Sequence, residues 1–360
     1  MKDWKEYKLG EILSIKYGKD HKKLDEGIYP CFGSGGIMRF VNSFLYDDES
    51  ILIPRKGSLN NIIFQKEPFW TVDTMFWSII NKSKVIPKYL YYQLTLINYE
   101  NLNVGSAVPS LTVSVINEIN VTLPPLSEQK AIAGVLSSLD DKIDLLHRQN
   151  ETLEALAETL FRQWFVEEAK EDWEEMSLSS MANFLNGLAC QKFPPKNEKD
   201  RLPVLKIKEL RNGISADSDW CTTEVDNKYI VENGDVIFSW SASLMVKIWD
   251  GETCILNQHL FKVTSEKFPK WFFYLWCKHY LAEFTAIAKA HATTMGHIKR
   301  RDLDEAMILA PSDDELEKMT EIMNPILDKI QINNNEIQTL TQLRDTLLPK
   351  LMSGEVRVEI

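Results

Sequence analysis

Ile132, Leu136, Leu139, Ile143, Leu146, Asn150, Leu153, Ala157, Leu160 and Trp164 follow one another in alternating steps of four and three residues. A 3.5-residue period held over this length predicts one long helix whose apolar seam packs on a partner helix. The alternative, a core helix of an ordinary bundle, would follow a 3.6 period and drift off the seam. Met319, Met323, Ile326, Ile330, Asn333, Ile337, Leu340, Arg344, Leu347 and Leu351 repeat the same steps further along. Ser312 with Glu315 fits a capping box at the start of this second helix, and Gly354 suits its C-terminal stop. Pro325 and Pro349 weaken it, and each is expected to kink the helix or mark an end.

The two helices are copies. Leu156-Ala157-Glu158-Thr159-Leu160-Phe161 matches Leu343-Arg344-Asp345-Thr346-Leu347-Leu348 at an offset of 187, which also carries Asp141-Lys142-Ile143 onto Asp328-Lys329-Ile330 and Leu123-Pro124 onto Ala310-Pro311. Weaker echoes precede the helices. Ser50–Ile53 and Ser58-Leu59 match Asp235–Phe238 and Ser243-Leu244, Pro87–Tyr92 matches Pro269–Tyr274, and Trp4-Lys5-Glu6 matches Trp173-Glu174-Glu175. One large unit is duplicated, because the period is too long for a solenoid.

The nearest equivalent seam for each helix is therefore the other copy. Antiparallel packing of Asn150 beside Asn333 also pairs 143 with 340, 157 with 326, 136 with 347 and 132 with 351, a set that maps onto itself when the copies exchange. A buried Asn at such a position fixes register at a cost in stability. Arg344 then meets Leu139 and carries its charge out to solvent. The bodies outside the helices read as mixed α/β, with short strands at Ile51–Pro54, Ile62–Phe64, Val72–Ile80, Asn120–Leu123, Val236–Ser239 and Leu260–Val263. Helices are expected at Lys88–Leu96 and Trp271–Ala290.

The chain has 360 residues, which suits two or three domains. Its net charge is −11, yet residues 126–168 and 311–360 each carry −5, so the bodies are nearly neutral and can present local basic faces. No apolar run is long enough to cross a membrane. The polar start Met1–Glu6 does not read as a signal peptide. Cys31, Cys190, Cys221, Cys254 and Cys277 are scattered singly, which argues against a disulfide framework or zinc knuckle and suits a reducing cytoplasm.

No catalytic centre is visible. The Gly-rich stretch Cys31–Gly36 lacks the Lys-Ser/Thr of a phosphate loop and reads as a tight turn that brings backbone close to a ligand such as DNA. No Asn/Asp-Pro-Pro-Tyr stretch occurs, and the acidic-x-Lys triplets at Glu128–Lys130 and Glu168–Lys170 read as solvated helix charge. The six histidines show no metal-ligand spacing with a second ligand, and no nucleophile with an oriented base can be assigned. Neither metal nor cofactor is expected. Loops rich in hydroxyls, amides and basic residues are the candidates for DNA contact, since such groups position a protein on phosphates and read base edges. In the first copy they give Ser34, Arg39, Arg55, Lys56, Ser58, Asn60, Ser106 and Ser110. In the second they give Trp240, Ser241, Ser243, Lys247, His291, Thr293, Thr294, His297, Lys299 and Arg300.

Leu123-Pro124-Pro125-Leu126-Ser127-Glu128-Gln129-Lys130-Ala131-Ile132 leads into the first helix. With Trp4–Ile12, Tyr29–Ile37, Asn233–Ile237 and Leu347–Val356 in this order, the chain resembles the DNA-specificity subunits of type I restriction–modification systems. The second copy has Asp313-Asp314-Glu315 where the first has its Glu-Gln pair. The resemblance implies an α+β chain with pseudo-twofold symmetry: a target-recognition domain at 1–125, a spacer helix at 126–168, a second recognition domain at 169–310, a spacer helix at 311–354 and a tail at 355–360. It implies that the two domains read the halves of a bipartite site in double-stranded DNA, separated and inverted by an antiparallel coiled coil. The subunit would have no activity of its own. Two modification subunits would use S-adenosylmethionine to methylate adenine, and restriction subunits would use ATP to translocate and cut. The rival readings are a coiled-coil scaffold that never touches DNA and an enzyme whose catalytic motif is unrecognised.

Overall fold

The computed structural model describes residues 3–290 and 296–358. Two compact units are present, one of residues 1–144 with 339–360 and one of residues 145–338. Both long helices contribute to both units. The first runs Leu126–Arg162 and the second Asp313–Ser353.

The units repeat one topology. In unit 1 an antiparallel sheet has the order Leu13–Tyr17, Met75–Ile80, Ser50–Pro54, Ile63–Gln65; in unit 2 the order is Asn183–Asn186, Leu260–Thr264, Val236–Ser239, Met245–Ile248. Register is kept as well as order. Tyr17 faces Phe76 as Asn186 faces Phe261, and Lys5 faces Leu123 as Glu174 faces Ala310. A smaller sheet accompanies each: Gly36–Val41, Tyr29–Gly33 and Trp70–Thr71 in unit 1, and Trp220–Cys221, Leu202–Leu205, Cys254–Leu256 and Ile230–Val231 in unit 2. The strand expected at Val72–Ile80 begins only at Met75, because Asp73 and Thr74 turn between Trp70–Thr71 and Met75–Ile80. The aromatic helix Lys270–Ala290 buries Trp271 through Cys277 without a break, as a helix enclosed on all sides does.

Within each unit the long helices run antiparallel. In unit 2 the Asn333 Nδ2 donates to Asn150 Oδ1 at 2.8 Å, and Asn150 Nδ2 donates to Asn334 Oδ1 at 2.6 Å. Ala157 and Ile326 share the core of that unit, while Ile132, Leu136, Leu347 and Leu351 share the core of unit 1. The pairing built on Asn150 and Asn333 is thus the one the structure adopts. Arg344 departs from expectation: its guanidinium turns to Asp140 at 3.1 Å and Asp345 at 2.8 Å rather than simply to solvent. Pro325 and Pro349 lie inside one continuous helix. Each removes a backbone bond at a cost of about 3 kcal/mol, and burial of Met323, Leu327, Ile330, Leu351 and Met352 around them offsets it. Gly354 takes a φ of +73° and ends the helix, as a C-terminal glycine should. The first helix ends in a π turn, Gln163–Glu167, which directs Phe165 into a cluster with Trp173, Trp271, Phe272 and Trp276.

Of the charges expected to be solvated at the helix ends, Glu128 is buried while Lys130, Glu168 and Lys170 are exposed. Glu128 is 2% exposed and accepts from Arg357 Nε at 2.8 Å and Nη2 at 2.7 Å. Gln129 accepts from Ile86 N at 2.8 Å and donates to Pro124 O at 2.8 Å. The same helix position in unit 2 is Glu315, bound by Lys170 and by the Trp173 indole. The second copy therefore keeps the glutamate and its cation, and only the glutamine has become Leu316. Each cation follows the other long helix in the chain.

Candidate nucleic-acid interface

Where Ser50–Pro54 leaves the sheet of unit 1, the chain crosses the segment that ends the recognition body. Arg55 N donates to Thr74 O at 2.9 Å, Gly57 N to Pro109 O at 3.0 Å, and Leu111 N to Arg55 O at 2.9 Å, so that Lys56 stands opposite Ser110. Gly57 has a φ of +87°, and a Cβ there would approach Ser34 Oγ to 3.1 Å, at the tip of the Tyr29–Val41 hairpin. Asn61 Nδ2 holds the same tip through Ser34 O at 2.9 Å. Asn103 Oδ1 shapes the neighbouring exposed loop by accepting from Gly105 N and Ser110 N, each at 2.8 Å. The Arg55 guanidinium lies 5.4 Å over the Tyr17 ring.

Unit 2 makes the same crossing with other side chains. Trp240 N reaches His259 O at 3.4 Å, Ala242 N reaches Gly296 O at 2.8 Å, and Ile298 N reaches Trp240 O at 3.0 Å, with Ser241 opposite His297. Ala242, with φ +57°, is the one non-glycine at positive φ among the described residues and stands where unit 1 has Gly57. Strain of this kind, of order 1–3 kcal/mol, persists only where the surroundings over-determine it, and it clusters at functional sites. The Trp240 indole donates to Asn186 Oδ1 at 3.1 Å and its ring stacks on Phe261 at 5.8 Å. A cleft of about 500 Å³ opens there, lined by Asn183, Asn186, Trp240 and Arg300.

The crossings bring together many of the expected residues: Ser34, Arg55, Lys56 and Ser110 in unit 1, Trp240, Ser241 and His297 in unit 2. Ser58 and Ser106 are exposed beside them, as is Ser243. Asn60 turns its Oδ1 to Tyr99 N at 2.8 Å. Ser241 is 3% exposed and its hydroxyl bonds His259 Nδ1 at 3.1 Å, so it positions the imidazole instead of meeting a ligand. Arg39 is half-buried and donates to Leu24 O at 3.0 Å. Lys247 pairs with Asp250 at 2.9 Å, further along its strand. The Lys299 amide caps the helix Arg300–Glu305 through Asp302, and its side chain is exposed. His291, Thr293 and Thr294 lie outside the described residues.

Tyr17, Thr74, Asn186 and His259 were not anticipated. Tyr17 and Asn186 each precede a glycine whose Cβ would collide with backbone, 1.9 Å from Val72 O at Gly18 and 2.3 Å from Asn257 O at Gly187. Those paired glycines, at the same offset as Trp4 and Trp173, were the available signal.

A duplicated α/β body joined through paired long helices, with one equivalent surface crossing per copy, defines a two-reader recognition protein. The family model for the type I restriction modification DNA specificity domain matches residues 1–155 and 170–342. This chain belongs to that family, whose members are the non-catalytic DNA-recognition subunits of complexes in which partner subunits hold the catalytic activity. It is 27% identical to the MjaIX specificity subunit of Methanocaldococcus jannaschii over 88% of this chain and 79% of that one. It is 25% identical to the MjaVIII specificity subunit of the same organism over 99% and 94% of the two chains. The crystal structure of the S subunit from M. genitalium shares the fold, with a TM-score of 0.66 and 17% identity over 99% of this chain and 97% of that one. Among the described residues no helix is long and apolar enough to cross a membrane.

Proposed function

We propose that each unit reads one half of a bipartite DNA site through its crossing, Arg55–Ser58 against Pro109–Leu111 in unit 1 and Trp240–Ser243 against Gly296–Ile298 in unit 2. The observation that carries this reading is the sameness of the crossing's backbone bonds in both units beside the difference of its side chains. A recognition protein needs that division, a rigid frame with exchangeable reading groups. The proposed domains are residues 1–125 and 169–310 for recognition, 126–168 and 311–354 for the spacer helices, and 355–360 for a tail. The partners are two modification subunits, which methylate adenine with S-adenosylmethionine, and restriction subunits driven by ATP. The complex works in the cytoplasm. The length of the long helices sets the unspecified gap between half-sites.

The nearly neutral bodies imply weak binding by the chain alone, because affinity for DNA rests on phosphate neutralisation. The test is the affinity of the complex assembled with modification subunit. Lys56→Ala weakens it; a uniform loss over all sequences marks a phosphate contact, and a loss of roughly 1–3 kcal/mol confined to one half-site marks a base contact. Unchanged affinity in both Arg55→Ala and Lys56→Ala removes this crossing from the interface. For the gap, one heptad inserted after Asn150 and one after Ile332 adds roughly 10 Å of helix, or about 3 base pairs. Retained methylation at the original gap contradicts the ruler.

A further inference from the structure

Asn186 is the exposed last residue of the edge strand Asn183–Asn186. Its Oδ1 accepts the Trp240 indole N–H at 3.1 Å. An indole nitrogen only donates, so the amide must turn its oxygen to Trp240 and its Nδ2 away. The backbone of both partners is held in place. Gly187 packs against the Asn257 carbonyl with no space for a Cβ, and Trp240 is held by Ile298 N, by His259 O and by its stack on Phe261. Among the described residues the Asn186 Nδ2 donor meets no acceptor, and it lines the cleft that Arg300 shares.

We propose that Asn186 is a specificity-determining residue of unit 2 and that it reads DNA as a donor only. The proposal rests on the reading that the crossing faces DNA. An unencumbered Asn makes two bonds to adenine, accepting from N6 and donating to N7. Trp240 takes that acceptor away. What remains is a fixed donor, which favours guanine, with two acceptors in O6 and N7, or thymine with O4, over adenine, whose single acceptor N7 stands beside the N6 donor. Unit 1 uses the same two places, with Tyr17 under Arg55, so the couple of strand-end residue and crossing residue is the specificity element of both units.

Asn186→Asp tests this with little disturbance. The carboxylate still accepts from Trp240, while the outward donor becomes an acceptor. The full chain assembled with its modification subunit is offered duplexes randomised in both half-sites. At one position of one half-site the preference moves from guanine or thymine to cytosine or adenine, by roughly tenfold, and the other half-site keeps its motif. Trp240→Phe releases Oδ1 and raises the preference for adenine at the same position, since the amide can then accept from N6 while it donates to N7. An unchanged motif in Asn186→Asp overturns the proposal, as does equal loss of binding to every sequence, which marks a positioning role. The underlying reading fails separately: then Trp240→Ala and Lys56→Ala both bind as the wild type does. If those two weaken binding while the Asn186→Asp motif stays put, only the present proposal falls.

Discussion

Arg55 lies over Tyr17 in unit 1 where Trp240 reaches Asn186 in unit 2, and Lys56 faces Ser110 where Ser241 faces His297. Beneath these exchanges the backbone bonds are the same, down to a positive φ at Gly57 and Ala242. The contrast teaches that the duplicated frame is held by main chain and by glycines with no room for a Cβ. Under the proposed reading, DNA contact is left to side chains that can change without moving it. The locks at the helix starts show the same economy with a different outcome. Arg357 occupies both oxygens of Glu128, and among the described residues the buried Trp4 Nε1 has no partner; Lys170 leaves room on Glu315 for the equivalent Trp173.

That difference makes the largest predicted effect an asymmetric one. Arg357→Ala strands a carboxylate that is 2% exposed. It should give the larger loss of stability, because a buried carboxylate is left without its cation. Lys170→Ala should give a much smaller loss, since Glu315 is partly solvated and keeps Ser312 and Trp173. Denaturant unfolding of both variants checks it, and equal losses would show that the two locks are equivalent after all.

Next in size is the asparagine pair in the helix seam. Asn333→Leu leaves the Asn150 amide oxygen without its donor and should cost about 1–2 kcal/mol. Changing both to Leu should recover most of that loss but allow register slip, since the polar pair fixes one alignment. Unfolding gives the first number, and cysteine cross-linking along the helices of unit 2 gives the second.

The smallest effect is at acid pH. The hydrogen bond from Lys170 holds the Glu315 carboxyl down at about 2, with help from Ser312. A depressed carboxylate adds stability above its usual range and loses it as pH falls toward about 2. The stability gap between wild type and Lys170→Ala should therefore shrink between pH 5 and pH 2. A gap that widens on acidification would reverse the sign and remove the lock.

Much of this frame was legible in the sequence because a heptad seam and an unbroken offset leave few arrangements open. Asn150 and Asn333 sit together because the pairing that respects the duplication admits them. The reading site was less legible. Tyr17 and Thr74 are far apart in the chain and reach Arg55 only through strand pairing, and their counterparts Asn186 and His259 lie at different offsets, so no single repeat length collects them. Burial also misled. Ser241 looks like a reading hydroxyl in the chain, but its strand exit turns it inward to His259. Glu128 looks like solvated helix charge because its partner, Arg357, follows the other helix; Lys170 is exposed as expected, and what the chain hides is its pairing with Glu315.

The central claim is that each crossing reads its own half-site. Mapping methylated adenines in cells that express the subunit with its modification partner, once with Arg55→Ala and once with Trp240→Ala, tests it most directly. The account predicts that each variant relaxes one half of the bipartite motif, a different half in each case, and leaves the other half and the gap as in the wild type. Relaxation of the same half by both variants, or of neither, would contradict it.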